Sequence, residues 1–362
     1  MYNRVMHSYS RFKKFGLFLF FAVFLFSACT APSSDSITFE AMNTVMSVKS
    51  NGKNAAKANQ KVRERLIQIE NLLSVTDENS EIFKINHQSE NLKTSGNENQ
   101  VYFVSKETAF LFDFSLKMAQ KTDGALNPCL YAITSDWGFT TGNYRIPSDD
   151  EISQNLKFTD YKKASAFTEN NSIELPAGTQ VDFGAVAKGF AGDEAIKILA
   201  ENGINSAVLD LGGNIQLLGE KNSKNGEKSL WKIGLKSPFG GEPVIALELK
   251  DCAVITSGGY ERFFTADDGQ NYIHIFDGKT GRPVKNDLAS VTIIAPSGLY
   301  ADSLSTAIFV MGKDTAVNFW RQNSDFEMIL ITNSNQLFYT SGLRSAISVL
   351  EEFSEISVIE KS

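Results

Sequence analysis

Histidine and cysteine are scarce in this chain, at 3 residues each out of 362. So few histidines argue against a closed zinc site. Cys129 and Cys252, the two cysteines outside the N-terminal region, are too few for a disulfide scaffold in a chain this long. They read as buried free thiols, with pairing between them left open. A basic excess is also missing: the net charge is −7. Taking away residues 1–28 removes four Lys/Arg and no acids, leaving 31 basic against 42 acidic residues and a net of −11. Such a chain adds charge to a polyanion instead of releasing counterions, which excludes a nucleic-acid binder. Repeats, heptads and long low-complexity tracts are absent as well.

The apolar run Phe15 to Phe26 is too short to span a bilayer comfortably. Arg4, Arg11, Lys13 and Lys14 precede it, and Ser27, Ala28 and Cys29 follow. That order resembles a bacterial lipoprotein signal over residues 1–28, in which Cys29 becomes the lipidated first residue. The expected location is therefore an exported, membrane-anchored lipoprotein, periplasmic or on the outer face of the cell membrane. Residues 29–37, Pro/Ser-rich and polar, read as a tether. The body covers 38–350, and 351–362 reads as a tail. At 42% apolar residues the body can bury a sizeable core.

Thr38 to Lys49 reads as a strand. Lys53 to Leu73 reads as a helix, with Val62, Leu66, Ile69 and Leu73 on one stripe. Ser105 to Lys121 is a second helix with Ser105 as N-cap. Gly142 to Asn155 leads into a short one. Lys188 to Asn202 is a further helix, stopped by Gly203. Strands are expected at Ser206 to Leu211, Trp231 to Leu235, Val244 to Leu249, Ala253 to Thr256, Tyr272 to Phe276 and Ser290 to Ala295. A helix from Leu299 to Met311 follows, with Gly312 at its end. Helices and strands alternate too unevenly for a βαβ series, so the class is α+β.

Some residues stand out chemically. His274 interrupts an apolar strand-like run. Asp302 and Thr306 are four apart, hence on one face of a helix. An imidazole, a carboxylate and a hydroxyl suit phosphate chemistry with a divalent cation. Val181 to Asp193 opens a helix with glycines and Lys188, in the manner of an anion cradle, though with neither Walker nor Rossmann spacing. Thr256 to Phe264 joins hydroxyls, glycines and aromatics, fitting a flat ring ligand or a plain turn. Trp137-Gly-Phe139 reads as core.

Together these stretches resemble a known family. Met42-Asn-Thr44, Leu73-Ser74 with Ser80-Glu81 and Asn86, Thr122 to Pro128, Trp137 to Phe139, Asp182 to Asp193, Leu211 to Gly213, Thr256 to Gly258 with Tyr260, His274 to Pro283 and Ala301 to Thr306 occur in the order found in ApbE-type flavin transferases, the FAD:protein FMN transferases. The resemblance covers nearly all of 38–350. It implies mixed, largely antiparallel sheets with flanking helices and a cofactor cleft between two lobes. The implied reaction is Mg²⁺-dependent transfer of FMN from FAD to a Thr or Ser hydroxyl of an acceptor protein, with AMP released; membrane redox subunits are the expected acceptors.

By position, the resemblance places Asp302, Thr306, Ser305 and the Ala185 carbonyl on the metal. It places Met42, Thr76, Ala125, Leu126, Asn127, Asp182, Lys188 and Phe276 along the FAD cleft. His274 is the expected base, with Asp302 as its rival. Relatives often carry Asp at the position of Ser305. They often have an aromatic at Thr76, and a lost stack weakens binding by roughly 1–3 kcal/mol. They usually have Asp at Asn127. These departures keep two alternatives open: a Mg²⁺-dependent FAD pyrophosphatase yielding FMN and AMP, and a non-catalytic flavin-binding surface lipoprotein.

Overall fold

The computed structural model describes residues 34–93, 99–222, 227–267, 269–323 and 325–361. The expected leader, Cys29 and the first part of the tether lie outside the described residues. Among the described residues no helix is long and apolar enough to cross a membrane.

A nine-stranded sheet carries the molecule, and its strands lie side by side in chain order. They are β1 Ser34–Ala41, β2 Thr44–Asn51, β3 Ala207–Leu211, β4 Asn214–Leu218, β5 Ala253–Gly258, β6 Leu288–Ala295, β7 Glu327–Thr332, β8 Gln336–Thr340 and β9 Glu355–Ile359. Every pairing is antiparallel except the last, β8 with β9. All other elements are insertions between these strands, which gives the expected α+β class with largely antiparallel sheets.

The helices are α1 Ala55–Leu73, α2 Glu81–Glu90, α3 Lys106–Lys121, α4 Tyr131–Asp136, α5 Asp149–Leu156, α6 Ala187–Glu201, α7 Gly298–Met311 and α8 Lys313–Gln322. α1 buries Val62, Leu66, Ile69 and Leu73, the stripe its sequence spaces for one face. With α6 and α7 it covers one side of the sheet, and the main core lies between them. The other side packs against a three-stranded sheet of Trp231–Lys236, Pro243–Leu249 and Ile347–Val349, through Val254, Ile294 and Ile329 facing Leu235, Ile245 and Leu247. Covered on both faces, β6 is buried along nearly its whole length. A third cluster joins Trp137, Phe139, Ile133, Ile152 and Phe276.

Four expectations change. Thr38 to Lys49 is a hairpin, because Met42 and Asn43 both take positive φ and turn the chain between β1 and β2. β1 begins at Ser34, so residues 34–37 belong to the sheet and not to the tether. The expected tail, 351–362, supplies the edge strand β9. Tyr272 to Phe276 is two short strands, Asn271–Ile273 and Phe276–Asp277, broken at His274. The described residues form one compact unit. Cys129 and Cys252 are free thiols; Cys129 is buried and Cys252 partly so.

Candidate active site

The site is built where α6 crosses α7. A Cβ on Gly189 would come within 2.3 Å of the Gly298 carbonyl and 2.6 Å of Asp302 Cβ. Gly192 and Gly298 face the Gln216 amide just as closely, and Gln216 Nε2 donates to the Gly189 carbonyl at 3.1 Å. Only glycine lets these backbones approach so far. The start of α7 is held from α6: both Asp193 carboxylate oxygens accept, from the Gly298 and Leu299 N–H groups and the Ser297 hydroxyl. A carboxylate there also complements the helix dipole.

This crossing fixes Asp302. Its Oδ2 accepts from Gly189 N–H at 2.8 Å. Gly189 N–H belongs to the first turn of α6, where helix donors have no intrahelical acceptor, and Asp302 supplies one; Ala185 lies just before this helix. Asp302 is 5% exposed. Burial pushes its carboxyl up to about 6, against the pull of Lys188, the Gly189 N–H and the Asn214 amide. Asn214 is itself buried, and its Nδ2 has no well-formed hydrogen bond among the described residues. A buried, poorly compensated carboxylate beside an unsatisfied amide is a site made for a charged ligand.

Thr306 lies one turn beyond Asp302 on α7 and is partly exposed. The donor set available to a cation is thus a carboxylate, a hydroxyl and a peptide carbonyl, all oxygen, which fits a hard divalent ion. Among the described residues no group of three or more His, Cys, Asp or Glu gathers that could hold a metal ion, so Asp302 is the one carboxylate of this donor set. Ser305 is fully buried. Its hydroxyl donates to the Asp302 carbonyl at 2.8 Å and lies 2.8 Å from Ser257 Oγ. It ties α7 to β5, and both bonds compete with any metal ligation.

The electrostatic neighbours of Lys188 draw the other candidates together. Its charge acts on Asp302, on Glu261 and on His274. Burial lowers the His274 imidazole to about 4, helped by the charges of Arg262 and Lys188. Burial raises the Glu261 carboxyl, and Asp302 adds to the rise. Burial likewise raises Asp182, whose Oδ1 accepts from Gly184 N–H at 2.8 Å and which faces Arg262. Glu261, Arg262, Asn214 and Asp193 are site residues that the sequence reading missed as individuals. The signal for two of them was a charged pair, Glu261-Arg262, between glycines and Phe263-Phe264.

The remaining candidates differ in exposure and in their partners. Met42 donates its N–H to Glu70 at 2.8 Å in the β1–β2 turn. That turn adjoins Gly212, where a Cβ would meet Thr44 Oγ1 at 2.2 Å. Thr76 is exposed and bonded locally to Ser74. Ala125 is partly exposed and Leu126 is buried. Asn127 spends its amide on its own chain, donating to the Thr159 carbonyl and accepting from Cys129 N–H. The Phe276 ring is buried against Trp137 and Phe139, and its main chain pairs with Pro283 in a two-stranded ladder. Trp137 and Phe139 are core, as their sequence suggested.

A family model described as the ApbE family matches residues 42–330. The chain belongs to the ApbE family. Relatives include the FAD:protein FMN transferase of Treponema pallidum, 33% identical over 68% of this chain and 72% of that protein. That of Klebsiella pneumoniae is 28% identical over 78% and 84%. Among solved structures, the ApbE protein of Thermotoga maritima superposes with a TM-score of 0.77 at 32% identity, covering 86% of this chain and 99% of that one. The flavinyl transferase ApbE of Pseudomonas stutzeri gives 0.71 at 25% identity, over 83% and 92%. The match spans the glycine-packed helix crossing, the Leu211-Gly212-Gly213 turn and the His274 segment.

Proposed function

We propose that this chain is a FAD:protein FMN transferase that moves FMN from FAD to a Thr or Ser hydroxyl of an acceptor protein. The supporting observation is the α6–α7 crossing, which buries Asp302 against Gly189 N–H with Lys188 alongside. The acceptor oxygen attacks the FMN phosphorus. The bond from that phosphorus to the bridging oxygen breaks, and AMP leaves with that oxygen. The hydroxyl proton passes to His274, which is neutral throughout the physiological range. Lys188 offsets charge on the diphosphate, and Asp182 and the Met42 turn help hold FAD. Mg²⁺ bound by Asp302, Thr306 and the Ala185 carbonyl would supply Lewis-acid neutralisation of the diphosphate. Positioning and charge neutralisation carry most of the acceleration in such transfers. Attachment through Cys29 would place the enzyme on the membrane face where its acceptors sit.

The test is mass spectrometry of candidate acceptors co-expressed with the enzyme, or incubated with it, FAD and Mg²⁺. The expected product is a fluorescent acceptor carrying one FMN. Free FMN and AMP formed without acceptor would favour the pyrophosphatase. FAD recovered unchanged would leave only a flavin-binding lipoprotein.

A further inference from the structure

His274 stands at the end of a short hairpin. The strands Phe263–Thr265 and Asn271–Ile273 pair antiparallel, with Phe263 opposite Ile273. One step further, His274 stands opposite Arg262, and its main-chain N–H donates to the Arg262 carbonyl at 3.1 Å. His274 Nδ1 lies 3.1 Å from the same carbonyl. A carbonyl has no proton to give, so Nδ1 is the protonated nitrogen and Nε2 keeps its lone pair.

The side chain of Arg262 acts on the same neighbourhood. Its Nη2 donates to the Phe139 carbonyl at 2.6 Å. The Phe139 ring flanks the imidazole, with centroids 6.5 Å apart, and also contacts Phe264 and Phe276. The charged groups that bear on His274 are Arg262 on the hairpin and Lys188 on α6, both cationic. Glu261, beside Arg262, faces Lys188 and Asp302. Arg262 is itself balanced by Asp182.

We propose that Arg262 is a positioning residue for the transfer reaction: its carbonyl sets the His274 tautomer, and its guanidinium pins the aromatic wall and holds His274 neutral with Nε2 bare. This rests on His274 being the base of the proposed reaction. The carbonyl would survive any side-chain substitution, so variants separate the two contributions. Arg262→Gln removes the charge, and Arg262→Lys keeps it while losing the planar fork.

The mature chain has only His87 and His274, so imidazole nitrogen NMR on the full mature protein, with His87→Gln for assignment, reads His274 directly. In the wild type, Nδ1 should be protonated and Nε2 bare at neutral pH. Arg262→Gln should raise the titration midpoint of His274 by about one pH unit, since a nearby cation disfavours the imidazolium. Its kcat for FMN transfer should fall about tenfold or more, with a smaller change in KM for FAD. Protonation should widen the deficit only as pH falls toward the raised midpoint, and Arg262→Lys should restore much of that midpoint. An unchanged midpoint in Arg262→Gln, or a wild type protonated on Nε2 in place of Nδ1, would overturn the proposal. So would a loss confined to KM for FAD, which would make Arg262 a cofactor contact acting through Asp182. The NMR readout needs no turnover, so it stands or falls separately from the transferase activity.

Discussion

The two ends of the active site are made in different ways. The Asp302 end is a helix crossing, held by glycines, a carboxylate cap and buried hydrogen bonds. The His274 end is a short hairpin against an aromatic wall, where Tyr144, Phe264 and Tyr272 stack in sequence. At the first end a charge is buried and waits for a partner. At the second a charge is kept away, because burial and two cations hold the imidazole neutral. Burial is the larger cause at both ends: it disfavours the charged form, which raises a carboxyl and lowers an imidazole, and Lys188 opposes the first shift while adding to the second.

The largest expected effect lies at the crossing. Asp302→Ala should lower FMN transfer by about 10³-fold or more, since the variant loses the only carboxylate of the cation set. Circular dichroism should show the fold retained. A variant with near-normal rates would move the cation site elsewhere. At the other end, His274→Ala should cut kcat by about 10²–10⁴-fold while FAD affinity, measured by calorimetry, changes little. Equal loss of both would make His274 a binding residue.

Gly189→Ala should force the two helices apart. The expected cost is about 1–3 kcal/mol of stability from overpacking, together with a loss of transfer rate beyond that of a matched Ala substitution on an exposed turn of α6. An unfolding curve identical to the wild type would show that the crossing has slack.

Cation binding should depend on pH in a definite direction. The Asp302 carboxyl is raised from 3.8 to about 6 in the folded state. A raised acid favours folding below its unfolded value and loses that contribution as pH rises through about 6. Mg²⁺ should therefore raise the melting temperature by more at about pH 8 than at about pH 4.5. Equal shifts at both would remove Asp302 from the cation set.

The smallest effect is expected at Ser305. Ser305→Ala should cost about 1 kcal/mol by breaking the link to Ser257, with the transfer rate within about threefold of the wild type. A large rate loss at unchanged stability would return Ser305 to the cation set.

Much of the frame was legible. α1, α3, α6 and α7 follow apolar spacing, caps and terminal glycines, and those signals are local. The strands around the core were found where buried β-branched runs are unbroken. The missed pieces depend on distant partners. The hairpin at Met42 needed two residues with positive φ that are not glycine, at a cost met by pairing along both strands. β9 is a strand only because β8 offers its edge. The strand stops at His274, whose main-chain N–H and imidazole both meet the Arg262 carbonyl across the hairpin.

Composition, charge and motif order by themselves determined that this is an acidic α+β protein of the flavin-transferase kind. Those properties sum over residues and need no neighbours in space. The tertiary structure alone decided which residues matter together: that Gly189 lends its N–H to Asp302, that Asp193 starts α7, that Ser305 faces β5, and that Arg262 governs His274. Each of those relations joins residues from 12 to 113 positions apart, and only packing brings such groups within hydrogen-bond reach.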